Sequence, residues 1–215
     1  MKHLLIALSF AASSGLAFAG TPQSFEAEDM PLKVEGMDDL DDAELEEMMS
    51  SVNPLENDLR GLEVAIRLHE GFVIREDGAF FQLGLINGAG ENLIDEEFTL
   101  IETADIASQT LADAQRDDFF MRTYKLDPAD HDRIRAADIL LQQVKQTSTG
   151  DNELKFNAGA KTCANGETST PDEYRIAIFV RSAPDVDFIP MSAGDIILTK
   201  ENAGPLAEMW TPCDS

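Results

Sequence analysis

The sequence predicts an α+β fold in which antiparallel sheet carries one main amphipathic helix at about 127–146 and a short acidic helix at about 38–51. Three observations point there. Hydrophobic periodicity changes from 3.6 to 2 near residue 60, a strong helix start stands at Asp127–Pro128, and tight-turn residues punctuate the apolar runs. Of the 215 residues, 43% are apolar, enough to bury a core. No internal repeat or low-complexity linker divides them, so residues 37–215 read as a single α+β domain, with a sub-boundary near residue 112 as the alternative.

Residues 1–19 have the pattern of an export signal. Lys2 and His3 give a positive start, residues 4–18 are apolar and small, and Ala17-Phe18-Ala19 is an A-x-A cleavage pattern. The apolar run is too short to cross a bilayer as a stable helix. The expectation is a signal peptide cut after Ala19, no membrane span thereafter, and a periplasmic or secreted location. Residues 20–36, with Pro22, Pro31 and scattered acids, read as a flexible lead-in.

In the acidic stretch that follows, Met37, Leu40, Met48, Met49 and Val52 fall near one helical stripe, with Leu45 beside it and mostly Asp and Glu between. Asn53-Pro54 stops it. Such a Met-rich stripe suits the core or an adaptable partner surface. Next, Leu62, Val64, Ile66 and Leu68 alternate with Glu63, Ala65, Arg67 and His69, a half-buried strand. Residues 72–75 and 79–86 flank Asp77-Gly78 and predict a hairpin, and Asn87-Gly88 a further turn. Strands follow at 98–103 and 117–126, with 104–116 open between loop and short helix. Phe80-Phe81 and Phe119-Phe120 place rings on both faces of their strands, which predicts a sheet covered on both sides.

Asp127 is the expected N-cap of the main helix, with Pro128 in the first turn and Asp130 and Asp132 complementing the helix dipole. Ile134, Ala137, Leu141 and Val144 line its buried face, and Thr149-Gly150 ends it. Strands are predicted at 153–157, 174–181 and 195–200, with a Gly-rich turn at 163–166. The unbroken apolar run 176–180 is that of a central strand. Cys163 and Cys213, the two cysteines, are expected to form one disulfide, as suits an oxidising compartment.

Charge limits the partners. The formal charge is −25, the acids are spread along the chain, and removing residues 1–19 adds one negative unit. Such a field repels nucleic acid and anionic lipid and keeps an exported protein soluble. The G-x-S-x-G elbow, Walker A loop, H-E-x-x-H, G-x-G-x-x-G and EF-hand patterns are absent. Gly84, Gly88 and Gly90 have turn spacing rather than that of a phosphate cradle. Past the signal, the histidines are His69, expected at an exposed strand end beside Glu70, and His131, between Asp130 and Asp132 in a helical first turn. Neither stands near an activated nucleophile, so no catalytic residue is assigned. Three acidic stretches offer oxygens to a hard cation, 38–42, 151–153 and Asp185 with Asp187, but none has the Gly-punctuated alternation of a calcium loop, so no metal ligand or cofactor is assigned. The expected function is a non-catalytic binding or interaction module with an unknown protein or small-molecule partner. A carboxylate-dependent hydrolase of envelope polymers and a calcium-stabilised module are the alternatives.

Overall fold

The computed structural model describes residues 6–7, 33–34, 59–104, 107–147, 153–166, 170–192, 194–201 and 203–213. The expected acidic helix at 38–51 lies outside them, as do most of the signal and lead-in. The described strands are β1 (Ile6–Ala7), β2 (Lys33–Val34), β3 (Glu63–His69), β4 (Phe72–Ile86), β5 (Asn92–Thr103), β6 (Phe119–Leu126), β7 (Glu153–Ala164), β8 (Glu173–Arg181), β9 (Ile189–Pro190) and β10 (Ile196–Thr199). The helices are α1 (Gln109–Asp113) and α2 (His131–Thr147). The class is α+β, and the sheet dominates it.

The strands join in the order β1-β7-β4-β5-β6-β3-β8-β10-β2, with β9 on β8, and apart from the β1–β7 pair they run antiparallel. The alternation at residues 62–69 builds β3, which lies between β6 and β8 rather than beside its sequence neighbour β4. β5 makes the sheet bend: residues 92–99 pair with β4, then 100–103 leave it and pair with β6. A half-barrel results. From within the expected signal, Ile6–Ala7 lies on β7 at Leu154–Lys155, and from within the lead-in, Lys33–Val34 lies on β10.

Two sequence expectations are corrected. Asp77-Gly78 does not reverse the chain. Asp77 does take a positive φ of 53°, yet β4 continues through it, because β7 pairs with β4 on both sides of this point, from Val73↔Cys163 to Ala79↔Ala160. The extra residues form a bulge, which kinks a strand without ending it. Gly78 is required there, since a Cβ would stand 2.7 Å from the Arg75 and Lys161 carbonyl oxygens. Cys163 likewise is not in a turn. Pairing of Phe72 and Val73 with Ala164 and Cys163 carries β7 on to residue 164.

The Asp127 start holds, one turn earlier than the α-helix itself. Its carboxylate accepts from Ala129 N at 2.9 Å, residues Pro128–Asp130 form a 3₁₀ turn, and α2 follows. Ile134, Ala137 and Leu141 are buried, with Val144 packed on the same cluster. They join Ile66, Leu68, Phe81 and Ile178 inside the half-barrel, where the Phe81 ring lies 6.0 Å from Phe98 and 4.7 Å from Phe156. On the opposite face Phe80 is also buried, lying on Gly159 beneath the Lys161 ammonium. Phe119 and Phe120, each half-buried, also divide, Phe120 against the main core and Phe119 beside His69 and Arg67.

The open side of the half-barrel is closed by the segment after β10. The 3₁₀ segment Gly204–Trp210 sets the Trp210 ring against Phe72 and Tyr174, at 5.8 and 6.4 Å, and its indole N–H donates to Pro171 O at 2.9 Å. Ala164 N then donates to Thr211 O, Cys213 N to Ala164 O, and the Cys163–Cys213 disulfide fixes the join to β7. With the cysteines 50 positions apart, the chain-entropy relation assigns this bond about 4 kcal/mol. Cys163→Ser is therefore expected to lower the unfolding free energy by ~4 kcal/mol in oxidising buffer and by little in reductant, as read by denaturant titration.

Candidate functional site

The outer face of β6-β3-β8 is where charge and burial meet. The alternation that sends Val64, Ile66 and Leu68 inward sends Ala65, Arg67 and His69 outward, and the register sets them beside Thr123, Met121 and Phe119 on β6 and beside Phe179 and Ala177 on β8. This face is not open to water. The strap of residues 107–118, which carries α1, and the loop 182–192 lie over it. Leu111 and Phe188 descend from them onto Ala65, Ala177 and Phe179, forming a small apolar cluster separate from the main core, with Ala114 and Met121 at its margin.

Arg67 is 4% exposed at the centre of this face. A buried guanidinium is costly unless paired. Its Nη2 donates to Asp195 Oδ1, its Nη1 donates to Ala114 O, and its plane stands 5.7 Å from the Phe119 ring centre. Asp195, just before β10, is fully buried, and its Oδ2 accepts from Arg116 Nη1 at 2.8 Å. Arg116 belongs to the strap and keeps 45% of its side chain exposed. Two cations thus share one carboxylate within a strongly acidic protein. Arg67 Nε is buried with no acceptor among the described residues.

Polar contacts also hold the covering segments to each other. Ser108 caps α1 by accepting from Leu111 N, and its hydroxyl donates to Asp187, which accepts as well from Thr110 Oγ1 at 3.0 Å and Phe188 N at 2.8 Å. The Ser108 bond, followed by the Phe188 N–H, holds the Asp187 carboxyl below the usual carboxylate range. Further along, Arg181 donates to Glu63 and to Pro184 O and lies over the Phe188 ring at 4.8 Å.

The structure does not bring the two histidines together. His69 is half-buried rather than exposed: its Nδ1 accepts from Gly71 N at 2.9 Å and its ring meets the Phe119 edge at 5.2 Å. His131 begins α2. Burial pushes the Tyr124 phenol up to about 12 and the Tyr174 phenol higher still, so both keep their protons as core residues. Of the acidic stretches, 38–42 and most of 151–153 lie outside the described residues, and Asp187 spends its oxygens on Ser108, Thr110 and Phe188. Among the described residues no three His, Cys, Asp or Glu side chains gather as a metal would require.

The sequence reading left out Arg67 and Asp195. Alternation marked Arg67 as solvent-facing. The contrary signal was in β8, whose unbroken apolar run 176–180 implied cover on both faces of the strand that pairs with β3.

Two predictions follow from these contacts. Asp195→Ala, which strands the Arg67 charge, is expected to cost about 3–5 kcal/mol, and the double variant Arg67→Met/Asp195→Leu distinctly less, measured by denaturant unfolding. Because the Asp187 pKa is depressed in the fold, its ties contribute stability above the ordinary carboxylate pKa and lose it as pH falls through the folded value. Protection of the α1 amides against hydrogen exchange is expected to drop on acidification below about pH 4 in the parent, and to be low at every pH in Asp187→Asn. No protein-family model, curated protein or solved structure gives a significant match to this chain.

Proposed function

We propose that the chain is an exported, non-catalytic binding module, in which residues 37–215 form one domain and residues 38–51 an acidic amphipathic helix. The export pattern of residues 1–19 and the Cys163–Cys213 disulfide support the location, periplasmic or secreted. One observation carries the site: the outer face of β6-β3-β8 seats an aliphatic side chain, Leu111, beside a buried arginine that donates to the carbonyl of Ala114. Small Ala65 and Ala177 floor the seat, with Phe179 and Phe188 as walls. That combination of apolar room and a desolvated donor suits a ligand with an aliphatic group next to a carbonyl or carboxylate.

The test is titration with a panel of medium-chain fatty acids and N-acetylated aliphatic amino acids, followed in ¹H–¹⁵N spectra. Shifts are expected at the amides of Ala65, Arg67, Leu111 and Ala177, with those of β4 and β7 unmoved. Absence of shifts across the panel, or shifts scattered over both faces, overturns the reading.

A further inference from the structure

α2, the strap and the loop 182–192 leave the burial of Phe80 unexplained. This side chain lies on the outer face of β4, is 3% exposed, and belongs to neither apolar cluster. Gly159 is beneath its ring and the Lys161 ammonium beside it. A ring laid on an antiparallel sheet still turns one side to water unless something crosses above it. Asn157, on the same face of β7 and paired with Gln82, is 5% exposed. Its Nδ2 donates to Gln82 Oε1 at 3.0 Å, and its Oδ1 is buried with no donor among the described residues. On an open face that oxygen would be hydrated. α2 and Gly204–Trp210 fill the inner side, and the strap and the loop 182–192 lie on β6-β3-β8. The outer face of β7-β4 thus has a cover of its own.

The chemistry of this face selects what covers it. Alternation along β7 sets Lys155 and Lys161 about 20 Å apart, with Asn157, Gly159 and the Phe80 ring between them. Lys161 also meets Glu97 at 3.0 Å, which leaves further donors on its ammonium. Two cations flanking an aromatic surface, in a chain of formal charge −25, suit a segment about 20 Å long that carries acids around an apolar stripe. We infer that the acidic helix 38–51 docks along the outer face of β7-β4, with Met48 and Met49 on the Phe80 ring and its acids toward Lys155 and Lys161. A helix of that length is about 21 Å long, and the methionine thioether packs well on aromatic rings. The chain has the reach. Residues 35–58 run from Val34 on β10 to Leu59, and the ten of them outside the helix span about 33 Å when extended. β4 and β8 face each other across the core, where Phe72 meets Tyr174 at 5.0 Å, so the path crosses one layer of about 10 Å. Residues 20–36 lack such a stripe. This inference rests on the helical reading of residues 38–51 given above and is independent of the ligand site.

The experiment treats the exported chain with a water-soluble carbodiimide, which joins a lysine to a carboxylate it touches, and maps the products by mass spectrometry. Lys155 and Lys161 are expected to join acids within residues 38–47. Methyl ¹H–¹³C spectra read the apolar side. A Met48 or Met49 methyl signal is expected to lie upfield through the Phe80 ring current and to return to the position of free methionine in Phe80→Leu. The double variant Met48→Gln/Met49→Gln, which leaves the sheet unaltered, is expected to raise acetylation of Lys155 and Lys161 severalfold while Lys125 and Lys200 keep their rates. Lysine links to residues 26–29 in place of 38–47, links between isotopically light and heavy copies, or methionine methyls at the free position overturn the docking. Helical Cα shifts over 38–51 with unaltered lysine acetylation in the double variant sink the docking and leave the helix standing. Absence of those helical shifts removes both.

Discussion

Closure of a strongly bent sheet is the constraint on which the rest depends. β5 bends the sheet by belonging to both halves, which leaves an apolar interior between the β7 side and the β8–β10 side. The segment after β10 covers that interior. Trp210, Met209 and Leu206 fill the gap, residues 211–213 hydrogen-bond to Ala164, and the disulfide makes the join covalent. The main core is covered on this side because the segment after β10 is held to β7.

That closure leaves the buried arginine and its carboxylate to the other face. With α2 filling the half-barrel, the inner side has aromatic and aliphatic packing and protonated tyrosines. The outer side of β6-β3-β8 is covered more thinly, by two segments with their own small apolar cluster and polar ties. Local stability follows buried apolar contact, so this cover has the lower threshold for opening. A buried arginine in the middle strand is costly to keep, and its contacts to Asp195 and to Ala114 O tie the sheet to its cover, as Arg181 does at Pro184 O.

Local chemistry was legible in the sequence wherever neighbours in the chain decide the outcome. Asp127 caps its helix through its own side chain, Ile134, Ala137 and Leu141 follow from helical period, and the alternation at 62–69 gives β3 its inward face. What was not legible depends on partners distant in the chain. Asp77 takes the backbone angle of a tight turn, but whether that angle makes a hairpin or a bulge is settled by β7, some eighty residues on. The Arg67–Asp195 pair spans 128 positions, and neither residue has a local pattern separating it from the many other charges of the chain. The disulfide could be anticipated because only two cysteines were present to choose from.

The placement of β3 has a consequence for when the fold can form. β3 makes no pairing with the adjacent β4, and its ladders are to β6 and β8, elements completed only at residues 126 and 181. The central strand of the sheet thus waits for most of the chain, and loop closure over such separations slows folding. The β4-β5-β6 ladders can form from sequence neighbours, but β3 cannot take its place between β6 and β8 until residue 181 is made. With this wiring the outer ladders close first and the middle of the sheet last, so the step that completes the core joins two distant parts of the chain.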